Sequence, residues 1–580
     1  MNTSRIFSFF AICGLLLAIA ACGGSSTPPT PAVSTLVVSP SSANVTLSGS
    51  QTFTVPNVTA GITWSVNPAI GSINANGVYT APATFPSTSK VTVTAALGSQ
   101  TGTATAQVVY PNNNSTAQAG AIKLGTSGGN ELDESNTACC IGTLGSLITR
   151  AGGFFILSNN HVLGRSDAGT LGIGDLIDQP GPLQCFSTAS NVGTTTARAT
   201  LKPTANSTTG TCANSGAALC GPAPSNVDAA IAQITPGTVD TSGSILDLGA
   251  AGPTSIGDAA PSSTLATGVI AGTPVAKSGR TTGLTCSTVQ ATNATVIVKY
   301  DASCGGATAF AAFFTNQVMV NGGTFSAGGD SGSLIVTSDK AQPVALLYAG
   351  NTTSTAGNPI SDVLAAFNNG SAATVVGGAD HSVSCAPTSS LSTQVGAQST
   401  QVSARQHQAA INARDRNVQA MMSGEPAIRS IEAGASSDGP GESALVIEMA
   451  GVPSKPIPAV VDGVRTRVVY AQGVAAPSIT IQDVNRTAAI KQANEQGIMA
   501  ERGIQGIGVG RSDDNPGETA IVIYTIQGEA HPPIPAVIDG VRTKVIEGDR
   551  FRAFGWNSQL EPKATACAKP KVKMASATKK

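Results

Sequence analysis

From residue 35 to residue 380 the apolar residues of this chain come in short runs with a period of two, and no long stretch holds helical spacing. Val91-Thr92-Val93-Thr94-Ala95, Ile62-Thr63-Trp64-Ser65-Val66 and Gln51-Thr52-Phe53-Thr54-Val55 are examples, separated by turn residues such as Gly, Asn, Pro and Ser. Side chains that alternate in this way sit on the two faces of a strand, so this region must be built from many short strands. Charge supports the same reading: residues 23–400 hold only 25 Lys, Arg, Asp and Glu in 378 positions. Coiled coils and charge-rich disordered chains need far more. Net charge is −1, so no basic field is available to hold nucleic acid. Residues 401–580 are different, with 39 charges in 180 positions, and the main domain boundary is placed near residue 400.

The first residues set the compartment. Arg5 precedes the apolar run Ile6 to Ala21, too short for a comfortable membrane span, and the run ends in Leu17-Ala18-Ile19-Ala20-Ala21-Cys22. Residues 1–22 thus read as an export signal whose ending resembles a bacterial lipobox. That resemblance implies diacylglycerol on the Cys22 thiol and a membrane partner reached through it. Gly23 stands where an inner-membrane retention signal would have Asp, which favours the outer membrane of the cell envelope. Residues 23–34 form a Gly/Ser/Pro tether. In an oxidising compartment the eight cysteines Cys139, Cys140, Cys185, Cys212, Cys220, Cys286, Cys304 and Cys385 are expected in disulfides. The short spacings favour Cys212 with Cys220 and Cys286 with Cys304. CxxC is absent and only four His occur, so neither metal nor cofactor is expected.

Four further units follow. Residues 35–110 are expected to form a β-sandwich; Trp64-Ser65-Val66 and Gly77-Val78-Tyr79-Thr80-Ala81-Pro82 resemble bacterial Ig-like repeats. The unit is a spacer or a module for a cell-surface ligand. Residues 117–380 carry the chemistry and 381–400 read as linker. Beyond them Ile457-Pro458-Ala459-Val460-Val461-Asp462-Gly463-Val464-Arg465-Thr466 returns as Ile534-Pro535-Ala536-Val537-Ile538-Asp539-Gly540-Val541-Arg542-Thr543. This repeat predicts two copies of a small α+β unit, 401–480 and 481–557, each opened by a polar helix (402–422 and 486–501). Asp-Gly-Val-Arg-Thr is either a tight turn or a binding motif. Residues 558–580, rich in Lys, read as a solvated disordered tail.

The segment Gly328-Gly329-Asp330-Ser331-Gly332-Ser333 has the composition a nucleophilic serine needs. Small neighbours let the backbone turn inward, so that the Gly329 and Ser331 amides can hold an oxyanion. A serine hydroxyl also needs a base. Of the histidines, His407 lies on a polar helix and His531 beside Pro532, whereas His161 follows the apolar run Phe155-Ile156-Leu157-Ser158. Asp228, in Val227-Asp228-Ala229-Ala230-Ile231, leads straight into an apolar strand, a costly place for a carboxylate without a partner. It is the candidate to fix the imidazole tautomer.

Residues 140–368 resemble trypsin-like serine peptidases of the double β-barrel fold. Asn160-His161-Val162, Val227-Asp228-Ala229-Ala230-Ile231 and Gly329-Asp330-Ser331-Gly332 stand where that family has its three motifs, in the family's order. Lys277-Ser278-Gly279-Arg280-Thr281-Thr282-Gly283 and Pro343-Val344-Ala345-Leu346-Leu347-Tyr348-Ala349-Gly350 further resemble a NARROW LEAF 1-like subgroup. The resemblance implies a mainly β chain in which a double β-barrel stands between the Ig-like sandwich and the duplicated α+β unit. It implies peptide-bond hydrolysis by His161, Asp228 and Ser331, with a protein or peptide as substrate. Phe325, Tyr348 and Gly350 fall at the substrate pocket, and Pro343 to Gly350 at an edge strand that pairs with extended substrate. Phe325 stands where trypsin has an acidic specificity residue, so a small or apolar pocket is expected. No Ile-Val-Gly-Gly activation terminus is present, so Asp330 needs another partner, for which Arg280 is a candidate. The competing reading is a surface adhesion or scaffold protein with an inert barrel.

Overall fold

Val91, Val93 and Ala95 are fully buried while the residues between them are half-exposed, the two-sided pattern of a strand with one face on a core. The computed structural model describes residues 36–58, 60–133, 141–165, 172–181, 189–202, 227–300, 310–385 and 401–553. Residues 1–22 with Cys22, the expected pair Cys212 and Cys220, and the tail 558–580 lie outside the described residues. The chain is mainly β, as the alternating runs require.

In the N-terminal unit a four-stranded sheet and a three-stranded sheet share one core, which includes Phe53, Tyr79, Val91, Val93 and Ala106. Gly77 is required there: φ is +75°, and a Cβ would lie 2.9 Å from the Trp64 ring. The sandwich reaches the next unit through Phe85, which stacks on Tyr110 at 4.1 Å and donates its amide to Pro253 O at 2.7 Å.

The middle region consists of two large sheets. The first has eight strands and contains Gly153–Ser158 and Ala230–Ile234, paired antiparallel. The second has ten strands and runs from Pro274–Gly279 through Leu334–Thr337, Pro343–Gly350, Ser354–Pro359, Phe310–Asn321 and Gly283–Tyr300. It does not stop there. Ile504–Arg511 of the second repeat pairs antiparallel with the 18-residue strand Gly283–Tyr300, at Ala291↔Gly510 and Val296↔Gly506. The repeat's four strands therefore continue the sheet of the middle region. Gly506, Gly508 and Gly510 permit this approach, since a Cβ on any of them would meet Val296, Ala294 or Gln290 at 3.1 Å or less.

The two repeats have the same strand order and opening helices Ala404–Gly424 and Ile481–Met499. Both helices begin at capping boxes, Ser403 with Gln406 and Thr480 with Asp483. The Thr480 cap explains why the second helix starts ahead of the expected residue 486. Asp462-Gly463 and Asp539-Gly540 all have positive φ and close two-residue hairpins, so Asp-Gly is a turn. The following Arg and Thr hold the copies together reciprocally. Arg465 donates to Thr543 O at 2.8 Å and Oγ1 at 3.2 Å; Arg542 donates to Thr466 O at 2.8 Å and Oγ1 at 3.0 Å. Two buried carboxylates repeat the exchange: Asp438 accepts from Ser512 Oγ and Asp513 N, and Asp514 accepts from Ser436 Oγ and Ser437 N.

One disulfide expectation is corrected. Cys286 bonds Cys385, not Cys304, with Cα atoms 5.7 Å apart. The segment bearing Cys385 is carried back to the sheet, where Val383 N donates to Ser338 O and Ser384 N to Gly249 O. Sequence spacing held no sign of that return.

Burial and the nearby Asp514 charge push the Asp438 carboxyl up to about 6. Its folded value is above its unfolded value of 3.8. The stability it contributes is therefore complete below the unfolded value and is lost as pH rises through about 6. Thermal denaturation should show the wild-type protein losing stability between about pH 4 and pH 7, and Asp438→Asn should flatten that slope. An unchanged slope in the variant would exclude Asp438 as its source.

Candidate active site

The strand Gly153–Ser158 ends at Asn159, and a single helical turn, Asn160–Leu163, places His161 at full burial. Asp228 stands just before Ala230–Ile234, the strand paired with Gly153–Ser158, so neighbouring strand ends bring the two side chains together. His161 Nδ1 lies 2.6 Å from Asp228 Oδ2. The carboxylate also accepts from Asn160 N at 2.7 Å and His161 N at 3.3 Å through Oδ1, and from Tyr300 OH at 2.7 Å through Oδ2. Asp228 is fully buried, so these donors replace the water it gave up. With Nδ1–H directed at Asp228, Nε2 is the imidazole nitrogen that can take a proton.

Asp228 is tied to the second sheet as well as the first. Tyr300 ends the strand Gly283–Tyr300, and Asn358 Oδ1 accepts the Asp228 amide at 2.9 Å while Asn358 Nδ2 donates to Gln317 Oε1 at 2.7 Å. Tyr300 stacks on Phe310 at 4.7 Å, and Phe314 packs on Tyr348 at 4.5 Å. Tyr348, expected at the substrate pocket, is fully buried in this aromatic series. Burial and the Asp228 charge raise its phenol well above the ordinary tyrosine value, so it stays protonated.

Ser331 is placed against the first sheet by its backbone. Thr143 N donates to Ser331 O at 2.8 Å. A Cβ on Gly142 would meet both Ser331 O and Val162, the neighbour of His161. The serine and the His161–Asp228 pair thus adjoin the same stretch of backbone. Gly332 has φ +97° and is packed so that a Cβ would lie 2.2 Å from Thr143 O; no other residue fits. Gly329 also has φ +97°, and a Cβ there would strike Thr281 Oγ1 at 2.4 Å. Asp330 N is spent on Ala327 O and Gly332 N on Leu347 O, whereas among the described residues the Gly329 and Ser331 amides make no backbone hydrogen bond. These two amides are the donors available to an oxyanion. The Ser331 hydroxyl donates to Ala553 O, 222 positions along the chain, at 3.2 Å.

Asp330 faces away from the serine into a closed polar pocket. Its oxygens accept from Thr281 N (2.9 Å), Thr282 N (3.1 Å), Ala327 N (3.0 Å) and Thr282 Oγ1 (2.7 Å). The cation beside it is Lys277, with Nζ 3.6 Å from Oδ2 and both side chains fully buried. Arg280, the candidate offered by the sequence, donates to Thr281 Oγ1. Lys277 Nζ also donates to Thr282 Oγ1 and to Gly283 O. Burial lowers the lysine value, and Asp330 opposes the shift.

Phe325 is placed differently from the expectation. It packs in a core with Val275, Val289, Ile335 and Leu347, and Lys277 Nζ lies 5.7 Å from its ring centre. It is buried next to the Lys277 side chain. The strand Pro343–Gly350 pairs with Leu334–Thr337 from Pro343 to Leu346 and with Ser354–Pro359 from Ala345 to Gly350, so its first half is interior to the sheet. Only its end, at Gly350, reaches a third partner, residue Arg552. Tyr300, Asn358 and Lys277 were missed. Lys277 lay inside a recognised motif, but nothing in the spacing of Lys277 and Asp330 revealed their contact.

The buried pair gives a direct test. Lys277→Met should cost about 3–5 kcal/mol in denaturant unfolding by leaving the Asp330 carboxylate unpaired, and Lys277→Met with Asp330→Asn should recover most of it. Equal loss in the single and double variants would rule out the pairing as the cause.

No family model and no curated protein matches the chain. Solved structures do. A glutamic-acid-specific serine protease that uses a histidine triad in substrate binding is 19% identical, covers 44% of this chain and 100% of its own, and has a TM-score of 0.28. Thermobifida fusca protease A is 18% identical with the same coverage and TM-score. Cellulomonas bogoriensis chymotrypsin is 17% identical, covers 39% of this chain and 95% of its own, and has a TM-score of 0.22. At such scores the weight rests on the geometry of the site itself.

Proposed function

We propose that the chain is a serine endopeptidase of the cell envelope, tethered to a membrane by diacylglycerol on Cys22. The observation that carries the catalytic reading is the buried His161 Nδ1 to Asp228 Oδ2 contact of 2.6 Å, with Gly142 packed against both Val162 and the Ser331 carbonyl. His161 Nε2 accepts the Ser331 proton as Oγ attacks a peptide carbonyl carbon. The developing oxyanion is held by the Gly329 and Ser331 amides. His161 then gives the proton to the departing amine as the C–N bond breaks, leaving an acyl-enzyme that water hydrolyses. Asp228 holds the imidazole through Nδ1, and the carboxylate is itself held by Asn160 N, His161 N and Tyr300 OH. Tyr300 is a positioning residue that fixes the carboxylate from the opposite sheet.

The test is covalent. A fluorophosphonate should label the mature protein at Ser331, and Ser331→Ala should abolish the label and lower peptide hydrolysis by roughly 10⁶-fold. A folded protein that never labels, either as wild type or shortened to end at Phe551, would exclude the catalytic reading. The tether is tested separately: cells fed a radioactive fatty acid should transfer it to the wild-type chain and not to Cys22→Ser. Equal incorporation by both would rule out Cys22 as the lipid site.

A further inference from the structure

The groove beside Ser331 already holds a peptide strand, and that strand belongs to the same chain. Residues 551–553 pass between Gly350 and Lys299, hydrogen-bonded on both sides. Gly350 N donates to Arg552 O at 3.1 Å and Arg552 N to Gly350 O at 3.0 Å, an antiparallel pair. On the other side Lys299 N donates to Phe551 O at 2.9 Å and Ala553 N to Lys299 O at 3.1 Å, a parallel pair. At the end of the strand the Ala553 carbonyl accepts the Ser331 hydroxyl, and Ala553 is fully buried.

The strand is delivered and fastened by the second repeat. Gln505, on Ile504–Arg511, accepts from Phe551 N at 2.9 Å and donates to Asp549 O at 2.9 Å. Asn351 Nδ2 donates to Asp549 O at 2.8 Å from the other side. The Phe551 ring is buried in the core that contains Tyr348 and Ala349, and meets Tyr524 edge-on at 5.6 Å. Arg550 pairs with Glu529. The segment is thus held from the middle region and from the second repeat at once.

We infer that the groove between Gly350 and Lys299 is a strand-binding surface whose resident occupant is residues 549–553, and that a peptide in trans reaches Ser331 only after this segment leaves. The inference rests on the peptidase reading for what is blocked, but not for the docking itself. Main-chain pairing of this kind accepts any extended peptide, and a covalently attached strand competes at high effective concentration. The serine has one hydroxyl proton; given to Ala553 O, it is not given to His161. Apparent affinity for an external peptide falls in proportion to the fraction of molecules in which the groove is open.

Arg552→Pro tests this in the full chain, since it removes the amide that donates to Gly350 and leaves Phe551 in its core. Arg552→Ala keeps the amide and serves as control. A chain ending at Phe551 is the second variant, should the proline interfere with folding. Arg552→Pro or the shortened chain should label with fluorophosphonate about tenfold faster than wild type or more, and Arg552→Ala should match wild type. Amide hydrogen exchange at Gly350 and Lys299 should be slow in wild type and fast in the opened variants. Equal labelling rates in a wild type that labels readily, or fast exchange at Gly350 in wild type, would overturn the inference. If no chain labels, the peptidase reading fails; slow Gly350 exchange in wild type that becomes fast on opening still establishes the docked strand, and no difference removes it.

Discussion

The buried carboxylate of Asp228 is the constraint around which the middle of the molecule is arranged. An ionised group with no access to water is tolerated only if donors surround it, and here they come from two sheets: His161 and Asn160 from the first, Tyr300 from the second. The Asp228 amide adds a further tie, to Asn358. Burial of the carboxylate and orientation of His161 thereby depend on the same contacts. The imidazole is oriented because the carboxylate is, and the carboxylate is oriented because the two sheets meet there.

The Lys277–Asp330 pair solves a related problem next to Ser331, where Asp330 is fully buried. Three backbone amides and Thr282 Oγ1 satisfy the carboxylate, and Lys277 supplies the charge from within the folded chain. Phe325 packs in the adjoining core with its ring 5.7 Å from Lys277 Nζ.

The C-terminal repeats first look like an appendage and are structurally continuous with the middle region. Ile504–Arg511 extends the second sheet, and the chain that leaves the repeat returns along Lys299 and Gly350. The first repeat is held to the second by reciprocal Arg–Thr and Ser–Asp bonds, so a duplicated sequence has produced a pseudo-symmetric pair. The Asp-Gly turn and the Arg-Thr clasp lie side by side in one motif. Two readings of that motif were open in the sequence because the turn is local and the clasp needs the other copy.

Local patterns in the sequence determined what depends on neighbours along the chain. Alternating Val and Thr set the strands, Ser403 and Thr480 the helix starts, and the Gly pairs around Ser331 the shape of the nucleophile turn. The scarcity of ionisable residues singled out His161 and Asp228, because a carboxylate leading into an apolar strand is costly to bury unless a donor receives it. Tertiary structure alone decided what depends on residues far apart: Tyr300 on Asp228, Lys277 beside Asp330, Cys286 with Cys385, and Ala553 on Ser331 across 222 positions. The reason is physical. Hydrogen-bonding capacity is written in each residue type, but which partner satisfies it is fixed only when the sheets pack and the remaining buried groups have been paired.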